Sequence, residues 1–319
     1  MISQGGMTEI DDLSREEFDL LIFGLGFESR STFVSSKIRA KKTIALKLPR
    51  IDIHSYRKNL SYAETRNYVV YDGYEKFCKS VLPTIIDRAK KPISIVFDIS
   101  SVNRFMLFEV ILTLMNICRY NDKLTIMYCP AKFAAPNRNF PQIEQIGPIS
   151  GHFSSYDADA TKPLCLMIGL GFEPGVAMGI ISQLEPRLSY CFWGSGIDSR
   201  FDLAVKKANF DFDFSGFATR DVRYLLSDPK GSFELLESIT YGLLADYNIV
   251  LAPLGPKIFS LVSALLGYKY LGRMAIWRVQ QNRINSLDSL PQNKIVFANI
   301  DLEAVEAAKA GREVQFATA

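Results

Sequence analysis

One short motif occurs twice in this chain of 319 residues, and its repetition constrains the fold more than any other feature. An apolar run ends in Gly-Leu-Gly-Phe-Glu at positions 24–28 and again at positions 169–173, so the copies lie 145 positions apart. A continuous apolar run bounded by glycine is typical of a parallel strand that is covered on both faces. The repetition therefore predicts an internal duplication in which each half begins with the same strand and turn.

The segments after each copy continue the same alternation of strands and helices. Strands that alternate with helices of ten or more residues indicate a parallel sheet with helices on both faces. We therefore predict an α/β protein made of two tandem Rossmann-like parallel-sheet halves. After the first strand of each half, the remaining strands are expected at 43–48, 68–71, 93–98 and 124–128, and at 189–193, 224–226, 248–252 and 274–279.

The length of the chain exceeds what one hydrophobic core usually serves, which favours two domains. We expect a first half at 1–130 and a second half at 164–319, the latter ending in an additional strand and helix. Residues 131–163 contain four prolines without sustained periodicity and are predicted to be a linker or insertion. Before the first strand, Ser14 is followed three residues later by Glu17, a capping-box pattern that predicts a helix start.

Composition places the chain among globular proteins. It is 48% hydrophobic and 22% charged, and its five cysteines show no paired spacing, which favours reduced core cysteines in a cytosolic protein. The first six residues do not resemble a signal peptide, and the longest apolar stretch, 105–118, is interrupted by Glu109. We therefore expect a cytoplasmic protein without membrane contact.

The turn after the first strand is the first candidate binding site. Glycines at this point let the backbone turn sharply and leave amides accessible to an anion at a helix N-terminus. The following acid would lie at the rim, where it accepts from a ribose hydroxyl or an amine. Alternatively, the glycines only make a tight turn and the acid is a favourable charge near a helix start. The residues concerned are Gly24, Gly26 and Glu28 in the first half, and Gly169, Gly171 and Glu173 in the second.

The turn after the fourth strand is the second candidate site, and it places a cation in the first helical turn of both halves. A cation there opposes the helix dipole unless an anion is bound or an acid pairs with it. A phosphate or carboxylate could be held by amides, hydroxyls and the cation. In an open parallel sheet both turns lie at the same edge. These candidates are Ser100, Ser101, Asn103 and Arg104, and their counterparts Gly255 and Lys257.

Asp98 ends the fourth strand of the first half, whereas Ala252 ends that of the second. Asp98 therefore either caps the following turn, contacts a ligand, or acts as a general base together with Glu28. Neither His54 nor His152 has metal-ligand spacing, so no metal is predicted. The motif lacks the third glycine of the dinucleotide fingerprint, which argues against an NAD oxidoreductase. No cofactor is expected beyond a nucleotide or another phosphate-bearing ligand.

Eight basic residues lie between Lys37 and Lys58, with Asp52 as the only acid, although the net charge is only +3. Such a stretch is either a solvated face or an electropositive surface toward nucleic acid or a partner protein.

The framework is similar to the CARF class of Rossmann-like sensor domains, and the fused pair resembles the SAVED arrangement. The resemblance is carried by Gly24-Leu25-Gly26 and by the turns at 100–104 and 255–257, which are similar to that family's loop of Thr and Gly ending in Lys or Arg. Here Ser101-Val102-Asn103 and Leu254-Gly255-Pro256 replace the usual Gly-Gly-Thr.

Both families bind cyclic oligonucleotides in prokaryotic antiviral signalling. The resemblance therefore implies a phosphate- or nucleotide-binding sensor, a subunit of an antiviral (phage) defence assembly that passes its output to a partner protein. Two alternatives remain open. One is a nucleotide hydrolase or transferase that uses Asp98 and Glu28, and the other is a structural subunit without ligand that docks through the basic stretch.

Overall fold

The computed structural model describes residues 1–48, 53–89, 91–135, 143–154, 159–209, 219–281 and 287–317. The chain forms two compact units, one made of Met1–Lys132 with Asp288–Ala319 and the other of Phe133–Leu287. The second unit is therefore inserted between two parts of the first.

The elements follow one another in a regular alternation. In chain order they are β1 (Ile2–Glu9), α1 (Ile10–Leu13), β2 (Glu17–Leu25), α2 (Phe33–Lys37), β3 (Arg39–Lys47), α3 (Tyr56–Thr65), β4 (Val69–Asp72), α4 (Tyr74–Lys76), a π-helical segment (Phe77–Val81), α5 (Leu82–Asp87), β5 (Ser94–Asp98), α6 (Arg104–Ile117), β6 (Lys123–Tyr128), β7 (Ile143–Pro148), a 3₁₀ turn (Gly151–Phe153), β8 (Leu164–Gly169), α7 (Val176–Leu184), β9 (Leu188–Ser195), α8 (Ser199–Ala208), β10 (Thr219–Leu225), α9 (Pro229–Leu243), β11 (Asn248–Pro253), α10 (Lys257–Lys269), β12 (Met274–Gln281), β13 (Lys294–Ile300) and α11 (Leu302–Ala317).

The predicted α/β class is confirmed, and the two sheets share one topology. The first sheet has the order β1-β13-β6-β5-β2-β3-β4, and the second has β10-β9-β8-β11-β12-β7. Strands β2 to β6 are mutually parallel, as are β8 to β12. Numbered within each half, both parallel cores have the order 3-2-1-4-5, so the order reverses between the first and fourth strands. The halves are nested rather than tandem.

Strand register confirms which residues of the two halves are equivalent. Phe23 lies opposite Asp98 in the first sheet, and Ile168 lies opposite Ala252 in the second. Phe23 and Ile168 are separated by the same 145 positions as the two motifs. Asp98 and Ala252 therefore occupy the same place, and only the first half carries an acid there.

The predicted place of the C-terminal strand was wrong. Strand β13 does not extend the second sheet but pairs antiparallel with β6 and β1 in the first. This position buries Ile295, Val296 and Ala298 completely or almost so. It also protects the otherwise open edge of β6, which is a physical reason for the long-range pairing.

Two further expectations need correction. The segment predicted as a linker at 131–163 contributes β7, which pairs antiparallel with β12 and closes one edge of the second sheet. Ser14 does not begin a helix, because its hydroxyl donates to the carbonyl of Asp11 at 2.7 Å and it follows the last residue of α1. Glu17, the other residue of the supposed capping box, already belongs to β2.

All five cysteines are buried and unbridged. No helix of the described residues is long and apolar enough to cross a bilayer.

Candidate functional site

Glu28 lies at the switch point of the first sheet and is held by the chain itself. Its Oε2 accepts from Ser101 Oγ at 2.9 Å and from Arg30 Nε at 3.1 Å, and its Oε1 accepts from Ser289 Oγ at 3.2 Å. The side chain of Arg30 is only 8% exposed, and that of Glu28 is 21% exposed. An internal carboxylate thus takes the hydrogen bond from Ser101 that we predicted for a ligand's anion.

Arg30 connects this carboxylate to the neighbouring strand end. Its Nη1 donates to the carbonyl of Cys129 at 2.9 Å, and its guanidinium lies 5.6 Å from the ring centroid of Tyr128. Burial lowers the pKa of Arg30, but Glu28 and Tyr128 outweigh burial, and the pKa lies above its ordinary value. Arg30 is therefore a fixed cation between the ends of β2 and β6, and the sequence analysis missed it.

The segment before β13 covers the same edge of the first sheet. Asp288 accepts from the backbone amide of Ser29 at 2.8 Å, and the amide of Arg30 donates to the carbonyl of Ser289 at 3.0 Å. The hydroxyl of Ser29 also donates to Asp288 at 2.5 Å. The turn after β2 is consequently tied to a segment that comes from the far end of the sequence.

The glycines of the first motif serve close packing. A Cβ on Gly24 would lie 2.8 Å from Val102 Cγ1 and 2.9 Å from the Val102 amide nitrogen. The amide of Gly26, predicted to be accessible to an anion, donates instead to Ser31 Oγ at 3.1 Å. That hydroxyl in turn donates to the carbonyl of Gly24 at 2.6 Å. In the first half, the motif therefore brings the turns after β2 and β5 into direct contact.

Asp98 is 1% exposed and shapes the turn that follows it. Its Oδ1 accepts from the amide of Ser100 at 2.9 Å and from the hydroxyl of Ser100 at 2.5 Å. The same hydroxyl accepts from the amide of Cys129 at 2.8 Å. Burial, followed by the charge of Asp98, raises the pKa of the Cys129 thiol to about 12. This geometry is that of a capping acid within the protein interior.

Asn103 and Arg104 stand at the start of α6, as predicted. Asn103 is the N-cap and accepts from the amide of Met106 at 2.7 Å, while Arg104 is the first residue of the helix. Lys257 is likewise the first residue of α10, after the N-cap Pro256. Both halves thus begin this helix with a partly exposed cation at the switch point.

The second half makes the same close approach between its two turns. A Cβ on Gly255 would lie 2.5 Å from the carbonyl oxygen of Leu170, and one on Gly171 would lie 2.9 Å from that of Leu254. A Cβ on Gly169 would clash with the ring of Phe259 at 2.2 Å. The glycines of both motifs therefore permit close packing, although corresponding glycines meet different groups in the two units.

The second half lacks two of the three side chains that hold Glu28, and it also lacks the hydroxyl of Ser31 that bonds the first motif. Counted by the separation of the motifs, Gly175 stands at the position of Arg30, and Val176 at that of Ser31. Counted by the register of Asp98 and Ala252, Gly255 stands at the position of Ser101. None of these three residues has a polar side chain. Glu173 is therefore not bound in the way that Glu28 is.

A buried asparagine supports the turn in each half, and the sequence analysis missed both. Asn59 of α3 donates from Nδ2 to the carbonyls of Gly26 at 2.9 Å and Glu28 at 2.8 Å. Asn209, at the end of α8, donates from Nδ2 to the carbonyl of Gly171 at 2.8 Å. The spacing of Tyr56, Asn59 and Ala63, which α3 buries, was the signal that could have revealed that helix.

The basic stretch is partly neutralised within the first unit. Lys37, Lys41 and Lys47 pair with Asp11, Asp19 and Asp72 at 3.4, 2.7 and 2.8 Å. Arg50 lies outside the described residues. A nucleic-acid or protein partner for this stretch stays a prediction.

The last candidates to be placed are the histidines and the side chains that could bind a metal ion. His54 lies near the first motif, since its ring centroid is 5.9 Å from that of Phe27. Among the described residues, no group of three or more His, Cys, Asp or Glu side chains is placed to hold a metal ion.

Comparison with known proteins identifies no family for this chain. No protein-family model matches the chain, and neither does any curated protein. One similar solved structure is a Type III CRISPR defence DNA nuclease activated by cyclic oligoadenylate, with a TM-score of 0.46 and 8% identity over 81% of this chain. The match spans 64% of the nuclease chain.

Two methyltransferases are also similar. An rRNA methylase from Streptococcus thermophilus matches 37% of this chain and 68% of its own, with 16% identity and a TM-score of 0.23. Phosphoethanolamine N-methyltransferase 1 of Haemonchus contortus, solved with phosphoethanolamine and S-adenosylhomocysteine, matches 83% of this chain and 75% of its own, with 8% identity and a TM-score of 0.24. At these TM-scores, the similarities assign neither a ligand nor a reaction to this chain.

Proposed function

We propose that this protein is a nucleotide-binding sensor, a subunit of a prokaryotic antiviral defence assembly that passes its output to a partner protein. The observation that carries the proposal is the duplicated switch point. In both units a Gly-Leu-Gly turn packs against a turn that leads into a helix beginning with Arg104 or Lys257. Ligands of open parallel sheets bind where the strand order reverses, outside the carboxyl ends of the strands.

The second unit is the better candidate for the ligand-binding half. In the first unit, Glu28 already accepts from Ser101, Arg30 and Ser289, so a phosphate would have to displace a bound carboxylate. In the second unit, small or apolar residues replace the first two of these donors. We assign anion binding in this unit to the backbone of the two turns and to Lys257 at the start of α10.

A sensor is favoured over an enzyme by the surroundings of the two candidate catalytic acids. Asp98 is buried and caps a turn, and Glu28 is paired with Arg30. A general base must lie within reach of the proton that it abstracts from a substrate. The antiviral part of the proposal comes from the resemblance of both turns to those of CARF and SAVED proteins.

Calorimetry of the whole protein tests the proposal, with a panel of mononucleotides, linear dinucleotides and cyclic oligonucleotides. We expect at least one to bind without being consumed. Lys257→Ala should weaken that binding by about 1.5–3 kcal/mol, the range for a hydrogen bond to a charged group. Arg104→Ala is the matched variant in the first unit, and it should change affinity less.

Absence of binding across the panel, together with no small molecule detected by mass spectrometry in the purified protein, would overturn the proposal. A stronger effect of Arg104→Ala than of Lys257→Ala would move the ligand to the first unit.

A further inference from the structure

A cavity of about 120 Å³ lies in the second unit, between α8 and the ends of β9 and β10. Trp193 and Val205 provide apolar walls, and the polar groups come from Ser195, Asp202, Lys206, Asp221 and Arg223. The cavity therefore combines an aromatic ring, a hydroxyl, two carboxylates and two cations, the mixture of groups found in sites for small polar ligands.

The first unit carries an ion pair at the equivalent place. Lys47 lies opposite Asp72 on β3 and β4, and the two form a salt bridge of 2.8 Å. Lys47 follows the residue that lies opposite Gly24, and Trp193 follows the residue that lies opposite Gly169, so these two positions are equivalent. Arg223 lies opposite Trp193 as Asp72 lies opposite Lys47, so Arg223 occupies the position of Asp72. The second half has thus exchanged a closed ion pair for an aromatic residue and a cation that line a cavity.

The polar groups of the cavity are only partly satisfied within the described part of the chain. Ser195 Oγ donates to Asp202 Oδ2 at 2.8 Å, whereas the buried Oδ1 of Asp202 accepts no hydrogen bond. Trp193 is fixed by its Nε1, which donates to Asp221 at 2.9 Å. A buried carboxylate oxygen without a donor indicates that a donor from elsewhere, such as a ligand hydroxyl, completes the site.

We propose that this cavity holds one nucleotide unit of the ligand. Its volume is below the roughly 300–1,000 Å³ of sites that enclose a drug-sized molecule. It therefore suits a single ring, held against Trp193, with the phosphate outside at the rim. Lys206 and Arg223, both exposed, would bind that phosphate, and a ribose hydroxyl would donate to Asp202. This inference rests on the proposed function and identifies the part of the second unit that reads the nucleotide.

Tryptophan fluorescence tests the proposal directly, since the chain has only two tryptophans, Trp193 and Trp277. In a Trp277→Phe variant, the emission of Trp193 should change on titration with the nucleotide that binds in calorimetry. In a Trp193→Phe variant, the emission of Trp277 should stay constant.

Two pairs of variants provide matched controls. Arg223→Gln and Lys206→Gln should each weaken nucleotide binding about ten-fold, the effect of losing one charge-assisted hydrogen bond. Arg220→Gln on the same strand and Lys207→Gln on the same helix should leave it unchanged, because neither residue lines the cavity. Melting temperatures confirm that each variant is folded.

Nucleotide binding that survives Arg223→Gln and Lys206→Gln would overturn this inference and leave the proposed function intact. Inorganic phosphate could bind with the same dependence on Lys206 and Arg223, while the nucleoside part of the nucleotide adds no affinity. That result would overturn the assignment of the ring to Trp193. Failure of the wild-type protein to bind any nucleotide would overturn both proposals.

Discussion

Ser101 donates from Oγ to the carboxylate of Glu28 over 2.9 Å, and this bond joins the turn after β5 to the turn after β2. Arg30 donates from Nε to the same carboxylate oxygen at 3.1 Å. Removal of one partner of a buried pair leaves the other charge uncompensated, which typically costs about 3–5 kcal/mol. Because Glu28 retains some exposure, we expect Arg30→Ala to lower the free energy of unfolding by about 3 kcal/mol in urea denaturation.

Glu173→Ala is the control for that measurement, since it removes the equivalent acid where neither partner exists. Its effect should stay within about 0.5 kcal/mol, as for most surface substitutions. Similar losses in both variants would contradict the different environments of the two acids.

Substitutions of Asp98 test whether the role of this residue is structural or catalytic. Asp98→Ala removes the acceptor of two hydrogen bonds from Ser100 and should lower the free energy of unfolding by about 1–3 kcal/mol. Asp98→Asn keeps an Oδ1 acceptor, so its cost should be smaller, and nucleotide affinity should not change. The enzyme alternative would be established if the wild-type protein turns over a nucleotide and Asp98→Asn abolishes this activity without loss of stability.

The two glycines of the first motif should differ in how their substitution can be rescued. Gly24→Ala meets the backbone of Val102, whereas Gly26→Ala meets the end of the Leu48 side chain at 2.6 Å. Overpacking typically costs about 1–3 kcal/mol. We expect Leu48→Ala to recover most of the loss in Gly26→Ala, and Val102→Ala to recover little of the loss in Gly24→Ala. Double-mutant cycles from urea denaturation measure the two couplings.

Because of Asp19, the free energy of unfolding of the first unit should depend on pH in the acid range. Its carboxylate accepts from Lys41 Nζ at 2.7 Å and from the amide of Ser94 at 2.9 Å. The bond from Lys41, followed by that from the Ser94 amide, lowers the pKa of Asp19 from 3.8 to about 2. A depressed folded-state pKa favours the ionised form, so the stabilisation is complete above pH 4 and is lost as the pH falls through 2.

Asp19→Asn is the variant that checks this dependence. It should lower the free energy of unfolding by about 1 kcal/mol at pH 7, since the ion pair is partly exposed. The difference between wild type and variant should shrink between pH 4 and pH 2. A difference that stays constant over this range would contradict the assignment.

Sequence reasoning was most successful where a pattern is local and repeated. The apolar run before each Gly-Leu-Gly marked β2 and β8, and the equivalence of Asp98 with Ala252 followed from counting strands in each half. The role of the glycines was harder to predict. Glycine reveals that a Cβ is excluded, but the group that excludes it, Val102 in one case and Phe259 in another, comes from a distant part of the chain.

Long-range partners explain the remaining errors. A strand at Ile295 could be predicted from its composition, but its pairing with β6 depends on which sheet edge is open. Ser289 and Asp288 show no local signal for a contact with the motif, because that contact arises only when β13 returns to the first sheet. Arg30 was overlooked for the same reason, since its acceptor on Cys129 lies about 100 residues away.

The nesting of the second unit also affects the order in which the chain acquires its structure. Gly6 of β1 lies opposite Phe297 of β13, about 290 residues later, and β13 is the only neighbour of β1 among the strands that the structure describes. During synthesis, β1 must therefore remain unpaired until the whole inserted unit has left the ribosome. The inserted unit contains its own parallel core and can form first, whereas its host closes last. Contacts of such separation slow folding and leave strand edges exposed meanwhile. Chaperone binding or aggregation would therefore act while the sheet of the first unit is still incomplete.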